Sequence, residues 1–314
     1  MLVSSEGGRR AILAALAANL GIAIAKFAGF LITRSSSMLA EAGHSLADTT
    51  NQGLLLLGRR QSRREEDADH PFGYGMARFF WSFIVGLILF TLGSLFAIYE
   101  GIRKIGSPHE LQKPVVAIVL LGVAMVLEGL SFRTAIRESR EVKGPETWIG
   151  FIRSAKVPEL PVLLLEDSGA LAGLAIALAG IGASMVTGNP RFDAYATLLI
   201  GILLGMIAIV LVIEMRSLLL GESAAPPERA QIDAALSDST QVRRVINVRT
   251  LHLGPEELLV AAKLEFDANL RFSELAEAID AAEARVRAVV PSARVMYLEP
   301  AIFDPARAAG SSSG

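Results

Sequence analysis

Residues 38–52 combine polar side chains with the spacing of a single helical face. Glu41, His44, Asp48 and Asn51 follow one another at intervals of three and four residues, so a helix would place them on the same side. An imidazole and a carboxylate one turn apart can hold a divalent metal between them. The alternative is a polar stripe whose groups are satisfied by hydrogen bonds to neighbouring helices. The pattern therefore predicts either a metal site or a structural polar stripe.

Further charged residues stand in otherwise apolar stretches. Glu166 and Asp167 open a long apolar run, and Glu128 is a lone acid in another. In lipid such groups are rare unless they face a bundle interior or a water-filled path, so the pair Glu166 and Asp167 favours the metal interpretation. Glu128 stays open between a metal ligand and a hydrogen-bonded structural group. Lys26 is interpreted as a packing or snorkelling residue, and Asp193 as an interfacial one.

The chemistry of these groups indicates a mechanism. A dication in the core of a bilayer needs its charge offset, and two carboxylates plus one neutral imidazole would do so through short oxygen and nitrogen bonds. Protons compete for the same groups, because metal ligands must be deprotonated. Since an unperturbed histidine titrates at about pH 6.5, exchange of metal for protons near neutral pH is chemically natural.

The composition points to a membrane protein. Of 314 residues, 52% are hydrophobic and 20% are charged, and the mean hydropathy is +0.46. Several windows of about 20 residues carry almost no charge, which is typical of membrane helices. The net charge of −2 gives no basis for a nucleic-acid partner, and the absence of cysteine excludes disulfides and thiolate metal sites.

Hydropathy predicts six transmembrane helices, each long enough for a hydrocarbon core of about 30 Å. Their expected positions are residues 11–33, 38–57, 79–102, 114–132, 161–186 and 192–220. Fourteen Lys and Arg residues flank these spans on one side and five on the other. The positive-inside rule therefore predicts cytoplasmic N- and C-termini, and we expect a multi-pass protein of a bacterial inner membrane.

A soluble domain is expected after the last span. Residues 228–236, 245–253, 258–266, 272–290 and 293–298 read as helix, strand, strand, helix and strand. The predicted fold class is a mainly α membrane protein with a cytoplasmic αββαβ domain, α+β and ferredoxin-like. The expected divisions are a transport domain at 1–221, a dimerisation domain at 222–306 and a tail or cloning remnant at 307–314.

Three motifs in this arrangement resemble the cation diffusion facilitator family of divalent-metal transporters. They are the segment HSLAD at 44–48, the loop HPFGYG at 70–75 and the segment LEDSGA at 165–170. The Glu-Asp form of the last motif looks most like the branch containing the mitochondrial zinc transporter nine. The resemblance covers about residues 10–305. It implies a homodimer in the lipid bilayer that exports zinc or a similar divalent cation from the cytosol in exchange for protons, with no further cofactor.

The resemblance also implies a transport site. The family takes two ligands from the second helix and two from the fifth, each pair four residues apart. His44 and Asp48 match the first pair and Asp167 matches one member of the second, but Leu163 stands where the other would be. The fourth ligand would come from water or from one of three residues: Glu166, Glu128 or Asn51. We prefer Glu128, because adjacent residues such as Glu166 and Asp167 point about 100° apart on a helix.

Two other metal sites of the family are only partly matched. In the cytoplasmic loop the resemblance keeps Asp67 and His70 but places Tyr74 where a histidine would be expected, which leaves either a metal site or a structural loop with a capping histidine.

The tail departs further from the family. The positions of its two-metal cluster hold four other residues: Ile246, Lys263, Tyr297 and Glu299. The ammonium of Lys263 opposes cation binding. We expect His252 at the surface and a tail that dimerises without metal.

Three alternatives to a zinc transporter remain open. A site with one nitrogen and several oxygens also suits manganese, iron(II) or cobalt. An intramembrane metal hydrolase would need a polarised water and a general base at an open coordination position, and it would yield a cleaved product. A non-transporting scaffold that recruits partners through its tail would tolerate the change Asp48→Asn.

Overall fold

A computed structural model describes residues 5–108, 110–145 and 147–304. The expected tail or cloning remnant at 307–314 lies outside these residues. Within the described ranges the chain forms nine helices and three strands. They are α1 (Ser5–Thr33), α2 (Ser36–Ser62), α3 (Ala77–Gly106), α4 (Pro114–Lys143), α5 (Trp148–Ser154), α6 (Glu159–Thr187), α7 (Arg191–Leu220), α8 (Pro226–Ser237), β1 (Val242–Gly254), β2 (Glu257–Phe266), α9 (Phe272–Val289) and β3 (Ala293–Pro300).

Four of the helices, α3, α4, α6 and α7, are long and apolar enough to cross a membrane. The part of α1 with described side chains, Asn19–Thr33, is apolar but shorter than a membrane span. Helix α2 is long enough, but its polar face lowers its hydropathy. Length and composition therefore support four of the six expected spans, and the other two stay predictions. Helix α4 runs eleven residues past its expected end at Phe132, because the continuation is rich in helix-forming Arg and Glu.

The chain divides into two compact units. One comprises the chain up to Gln61 together with Arg78–Arg216, and the other comprises Ser62–Ala77 and the chain from Ser217 onward.

In the helical unit, small residues let α3 and α7 approach closely. The Ser94 hydroxyl donates to the carbonyl of Gly201 at 2.8 Å, within a π-helical segment of α3, Leu89–Leu95. A Cβ at Gly201 would lie 2.8 Å from the backbone nitrogen of Ile98. Close backbone approach through small residues is the usual way in which helices associate in lipid.

The two ends of α2 are held by buried ion pairs. Near its C-terminal end, Arg59 and Arg78 donate to the buried carboxylate of Glu159 at 3.2 Å and 2.7 Å, which joins α2, α3 and α6. At its N-terminal end, the first residues of α2 donate hydrogen bonds to Asp193 of α7. Asp193 also forms an ion pair with Lys104 of α3. These contacts fix the helices around the polar middle of α2.

The second unit is a three-stranded sheet in the order β1-β2-β3, with α8 and α9 packed against it. Strands β1 and β2 are antiparallel and β2 and β3 parallel. The predicted order of helix, strand, strand, helix and strand is confirmed. Alternate residues of β2, from Leu258 to Phe266, are buried in its core, which is the period of a half-buried strand.

The segment Ser62–Ala77 belongs to this second unit, where it lies against the end of β1. A Cβ at Gly75 would lie 2.5 Å from the carbonyl oxygen of Leu253 and 3.1 Å from the Cα of Gly254. Only glycine allows the two backbones to approach this closely.

Candidate metal centre

The polar face predicted for residues 38–52 lies on α2 and points into the bundle. Glu41 is 0% exposed, His44 is 1% exposed and Asn51 is buried, while Asp48 is half-buried. All four lie within one unbroken helix, so the spacing of three and four residues places them on one side, as expected. Helix α2 therefore carries an imidazole, two carboxylates and an amide into an otherwise apolar core.

His44 and Asp48 have unsatisfied polar atoms. The His44 Nδ1 atom lies 3.5 Å from Asp48 Oδ1. Among the residues that the structure describes, neither ring nitrogen of His44 nor that Asp48 oxygen has a hydrogen-bond partner. Since buried polar groups are nearly always paired, exceptions of this kind call for an explanation. A ligand that accepts lone pairs, such as a cation, supplies one.

A small cavity lies beside these two residues. Four carboxylates from three helices line it: Asp48 of α2, Glu128 of α4, and Glu166 and Asp167 of α6. Ser45, Ser131 and Leu163 also contribute to its wall, whereas His44 does not line it. Four acids around one small space repel each other unless protons or a cation reduce their charge. The cavity therefore has the chemistry of a site for a divalent cation.

The acids are held in place by neighbouring polar side chains. The amide nitrogen of Asn51 donates to Glu166, and the Ser131 hydroxyl donates to Asp167 at 3.1 Å. Although Glu166 and Asp167 are adjacent in the chain, both line the cavity, so the angle of about 100° between them does not keep Glu166 away. Glu128 also lines it, and the choice of fourth ligand stays a prediction.

The side chains gather around the cavity without converging on one point. Within the described ranges, no three His, Asp or Glu side chains lie together as a ready metal cluster. Leu163, one turn before Asp167, reaches the cavity wall with a side chain that cannot bind metal. A bound cation would therefore draw in side chains that now stand apart.

Sequence reasoning missed the surroundings of Lys26. Of the two alternatives expected for it, snorkelling is excluded and packing remains, because Lys26 is only 2% exposed. Its ammonium lies 3.2 Å from Glu41 Oε2 and donates to Ser45 Oγ at 2.8 Å. The sequence contained a signal for this contact, because Lys26 and Glu41 stand at similar distances on either side of the turn between α1 and α2. Residues so placed in a helical hairpin lie at the same depth.

Asp193 is also more deeply buried than expected. The sequence indicated an interfacial residue near the end of a span, but Asp193 is 0% exposed. The hydroxyls of Ser35, Ser36 and Ser37 all donate to it, and Lys104 Nζ lies 3.1 Å from it. The run of three serines was the available signal, since serine hydroxyls are typical donors to a buried carboxylate.

In the loop of the second unit, Asp67 is bound by protein groups. The Tyr74 hydroxyl donates to Asp67 Oδ2 at 2.7 Å, and the backbone N–H of His70 donates to Oδ1 at 2.8 Å. These hydrogen bonds, that from Tyr74 first, lower the pKa of Asp67 below its usual range. His70 stacks on Tyr74 with ring centroids 4.2 Å apart. The geometry favours the structural loop over the metal site that Asp67 and His70 also suggested.

In the sheet of the second unit, Lys263 is paired. Its ammonium lies 3.1 Å from Glu299 on the neighbouring strand β3, and both side chains are exposed. The prediction that His252 lies at the surface was wrong, because it is 2% exposed. His252, Leu253 and Gly254 at the end of β1 are all buried, so the alternation expected of a half-buried strand does not hold there.

Comparisons with known proteins show the family of the chain. The model of the cation efflux transmembrane domain matches residues 12–220. The mouse proton-coupled zinc antiporter SLC30A9, mitochondrial, is 34% identical over 245 residues, which are 77% of this chain and 43% of that protein. The metal tolerance protein C4 of Arabidopsis thaliana is 31% identical over 270 residues, 85% of this chain and 59% of that protein.

A bacterial relative, the magnetosome protein MamB of Paramagnetospirillum magneticum, is 27% identical over 282 residues, or 88% of this chain and 89% of its own. The present chain spans less than half the length of the mouse relative. The matched family model covers the helical unit that holds the acidic cavity. With its apolar helices, this chain is a multi-pass membrane protein of the cation efflux, or cation diffusion facilitator, family, and it resembles the branch that contains SLC30A9.

Proposed function

We propose that this protein carries a divalent metal cation across a membrane in exchange for protons, and that zinc is its main cargo. The observation that carries the proposal is the acidic cavity between membrane helices, which Asp48 lines together with three further carboxylates. Among the described residues, one oxygen of Asp48 and both ring nitrogens of the buried His44 beside it have no hydrogen-bond partner. The mouse relative is named a proton-coupled zinc antiporter, which supports both zinc as the cargo and exchange for protons.

The core of the proposed transport site is formed by His44, Asp48 and Asp167. The cation is the substrate, and it would bind between α2 and α6 with one nitrogen and two carboxylate ligands. Glu166, Glu128, Asn51 or a water molecule would complete the site. Two carboxylates offset the charge of a dication, which would otherwise be too costly in the core of a bilayer.

Proton exchange follows from the same groups. A carboxylate or imidazole that holds a proton cannot also hold the metal, so each proton that binds favours release of the metal. If the cavity opened to one side of the membrane and then to the other, metal would leave on the side with more protons. This gives an antiporter that needs no further cofactor.

The proposed arrangement in the membrane has six spans, α1 to α4, α6 and α7, in a bacterial inner membrane. The excess of Lys and Arg on one side of these helices supports cytoplasmic termini, so the metal would be exported from the cytosol. The transport domain would end near residue 221 and a dimerisation domain would follow to 306.

The tail is proposed to form the homodimer without metal. Lys263 and Glu299 neutralise each other where a metal cluster would need ligands. The full chain is therefore expected to stay dimeric after chelator treatment, as judged by light scattering in detergent. A dimer that the chelator dissociates would contradict this.

The test of the function is metal uptake into proteoliposomes. The purified chain is reconstituted and challenged with zinc, manganese, iron(II) and cobalt, with and without a pH gradient, and internal metal and pH are followed by dyes. We expect zinc to enter fastest, with proton movement in the opposite direction, and Asp48→Asn to be inactive. Equal uptake in protein-free vesicles, or full activity of Asp48→Asn, would overturn the proposal.

A further inference from the structure

A buried lysine stands beside the acidic cavity. Lys26 of α1 donates to Ser45 and pairs with Glu41, both on α2. Ser45 also lines the cavity together with Asp48. One hydroxyl therefore links the ammonium to the wall of the space in which the metal is proposed to bind.

The spacing on α2 places this ion pair next to the metal ligands. Glu41 is three residues before His44, and Ser45 is three residues before Asp48. Residues three apart on a helix are surface neighbours, with Cβ atoms about 5–6 Å apart. The groups that hold the lysine and the groups that hold the metal thus form two parallel rows on one helix face.

The ion pair is not needed merely to fill the bundle. A buried ion pair can often be replaced by apolar residues of similar volume without loss of stability, so its stability alone does not account for it. The second oxygen of Glu41 has no hydrogen-bond partner among the described residues, and a Cβ at Gly173 of α6 would lie 2.5 Å from it. Glu41 is thus held tightly between Lys26 and α6, which keeps the ammonium in place.

Resting on the proposed function, we propose that Lys26 is a fixed positive charge that weakens metal binding at the cavity and so speeds metal release. Without metal, the ammonium offsets part of the repulsion among the four acids. With metal, it repels the dication at short range in a medium of low dielectric constant, where such repulsion is strong. Glu41 moderates the effect by cancelling part of the ammonium charge.

The test uses two variants whose expected effects are opposite in sign. The double variant Lys26→Met, Glu41→Gln removes the ammonium without leaving Glu41 as a lone buried charge. The single variant Glu41→Gln keeps the ammonium but removes the charge that moderates it. Zinc binding to the full chain in detergent is measured by calorimetry, and transport in proteoliposomes gives KM and kcat.

For the double variant we expect a Kd lower by about tenfold, a lower KM and a reduced kcat, because release slows. For Glu41→Gln we expect a higher Kd and a higher KM. The matched control is Lys104→Met, Asp193→Asn. It removes a second buried lysine–carboxylate pair of the same bundle, which does not line the cavity. Its Kd should stay at the wild-type value.

Three results would overturn the inference. The Kd of both test variants could equal that of the wild type while all three proteins transport zinc, which would leave the pair a purely structural one. Both Kd values could instead move in the same direction, or the control could shift as much as the double variant. A wild-type chain that neither binds nor transports any metal would be a separate result, since it refutes the proposed function itself.

Discussion

Two buried carboxylate regions of the helical unit differ in how their oxygens are satisfied. At Asp193, each carboxylate oxygen accepts several hydrogen bonds: Oδ1 from the hydroxyls of Ser35 and Ser37, and Oδ2 from Ser36 and Lys104. At the cavity, one oxygen of Asp48 and both ring nitrogens of the neighbouring His44 have no hydrogen-bond partner among the residues that the structure describes. Asp193 is fully buried, whereas Asp48 is half-buried.

The difference separates structure from function. A buried carboxylate with all its donors inside the protein is already compensated and gains nothing from a metal. A buried carboxylate that lacks donors is destabilising unless something from outside completes it. Asp193 therefore fastens α2 to α3 and α7, whereas the cavity acids line the space in which we propose that a cation binds and is released.

The largest effect is expected at the cavity. Replacing Asp48 or Asp167 by Ala removes a proposed metal ligand from the core of the site, so transport should fall to background. The fold should remain near normal, because the lost carboxylate made few internal hydrogen bonds and repelled its neighbours. Uptake in proteoliposomes and thermal unfolding in detergent give the two readings. Transport retained in both variants would remove these residues from the site.

Removing the charge of Asp193 should have the opposite consequence, with a loss of stability and no loss of zinc binding. Asp193→Asn leaves the Lys104 ammonium without its counter-ion, which typically costs about 3 to 5 kcal/mol when the pair is buried. We expect a much lower Tm than for Asp48→Asn, but an unchanged zinc Kd in the folded fraction. A stable Asp193→Asn variant with altered zinc affinity would mean that the two regions do not differ in role.

How much of this contrast the sequence could predict depends on how far apart along the chain the interacting residues lie. The polar face of α2 and the strands of the tail follow from local periodicity, which one sequence shows directly. The burial of Lys26 and Asp193 could not be derived in the same way, because these partners lie 15 to 19 residues from Lys26 and 89 to 158 residues from Asp193 in the chain. Periodicity tells which face is polar, but not which neighbouring helix meets it.

His252 shows the same limit in the sheet. A lone histidine is polar enough to suggest exposure, but at the end of β1 both His252 and the adjacent Leu253 are buried. The four cavity acids are an intermediate case. The sequence singled out each of them, and only the packing of α2, α4 and α6 brings them around one space.

A smaller effect should distinguish the two glutamates of the cavity. Glu166 is bonded by Asn51 and therefore already partly compensated, so by the contrast with Asp193 it should matter less as a ligand than Glu128. We expect Glu128→Gln to weaken zinc binding by about tenfold and Glu166→Gln to do so less. Both are measured by calorimetry and transport at fixed pH. Impairment by Glu166→Gln alone would assign both acids of α6 to the metal.

The smallest expected effect concerns the choice of metal. Leu163 stands on the cavity wall one turn before Asp167, so Leu163→His would add a second nitrogen to a site that is otherwise rich in oxygen. Zinc favours nitrogen donors in a tetrahedral site, whereas manganese accepts more oxygens and a higher coordination number. The variant should therefore favour zinc over manganese by roughly threefold more than the wild type.

The measurement is the ratio of zinc to manganese uptake at equal concentrations, with Leu163→Asn as the matched control, since asparagine adds polarity but only a weak oxygen donor. Because the fold keeps Asp48 and Asp167 in both variants, a general loss of transport would lower both rates and leave the ratio unaffected. A ratio that rises only in the histidine variant supports selection by donor type. An unchanged ratio would show that the cavity selects its cargo by charge and size, and the oxygen-rich composition of the site would then carry no information about the metal.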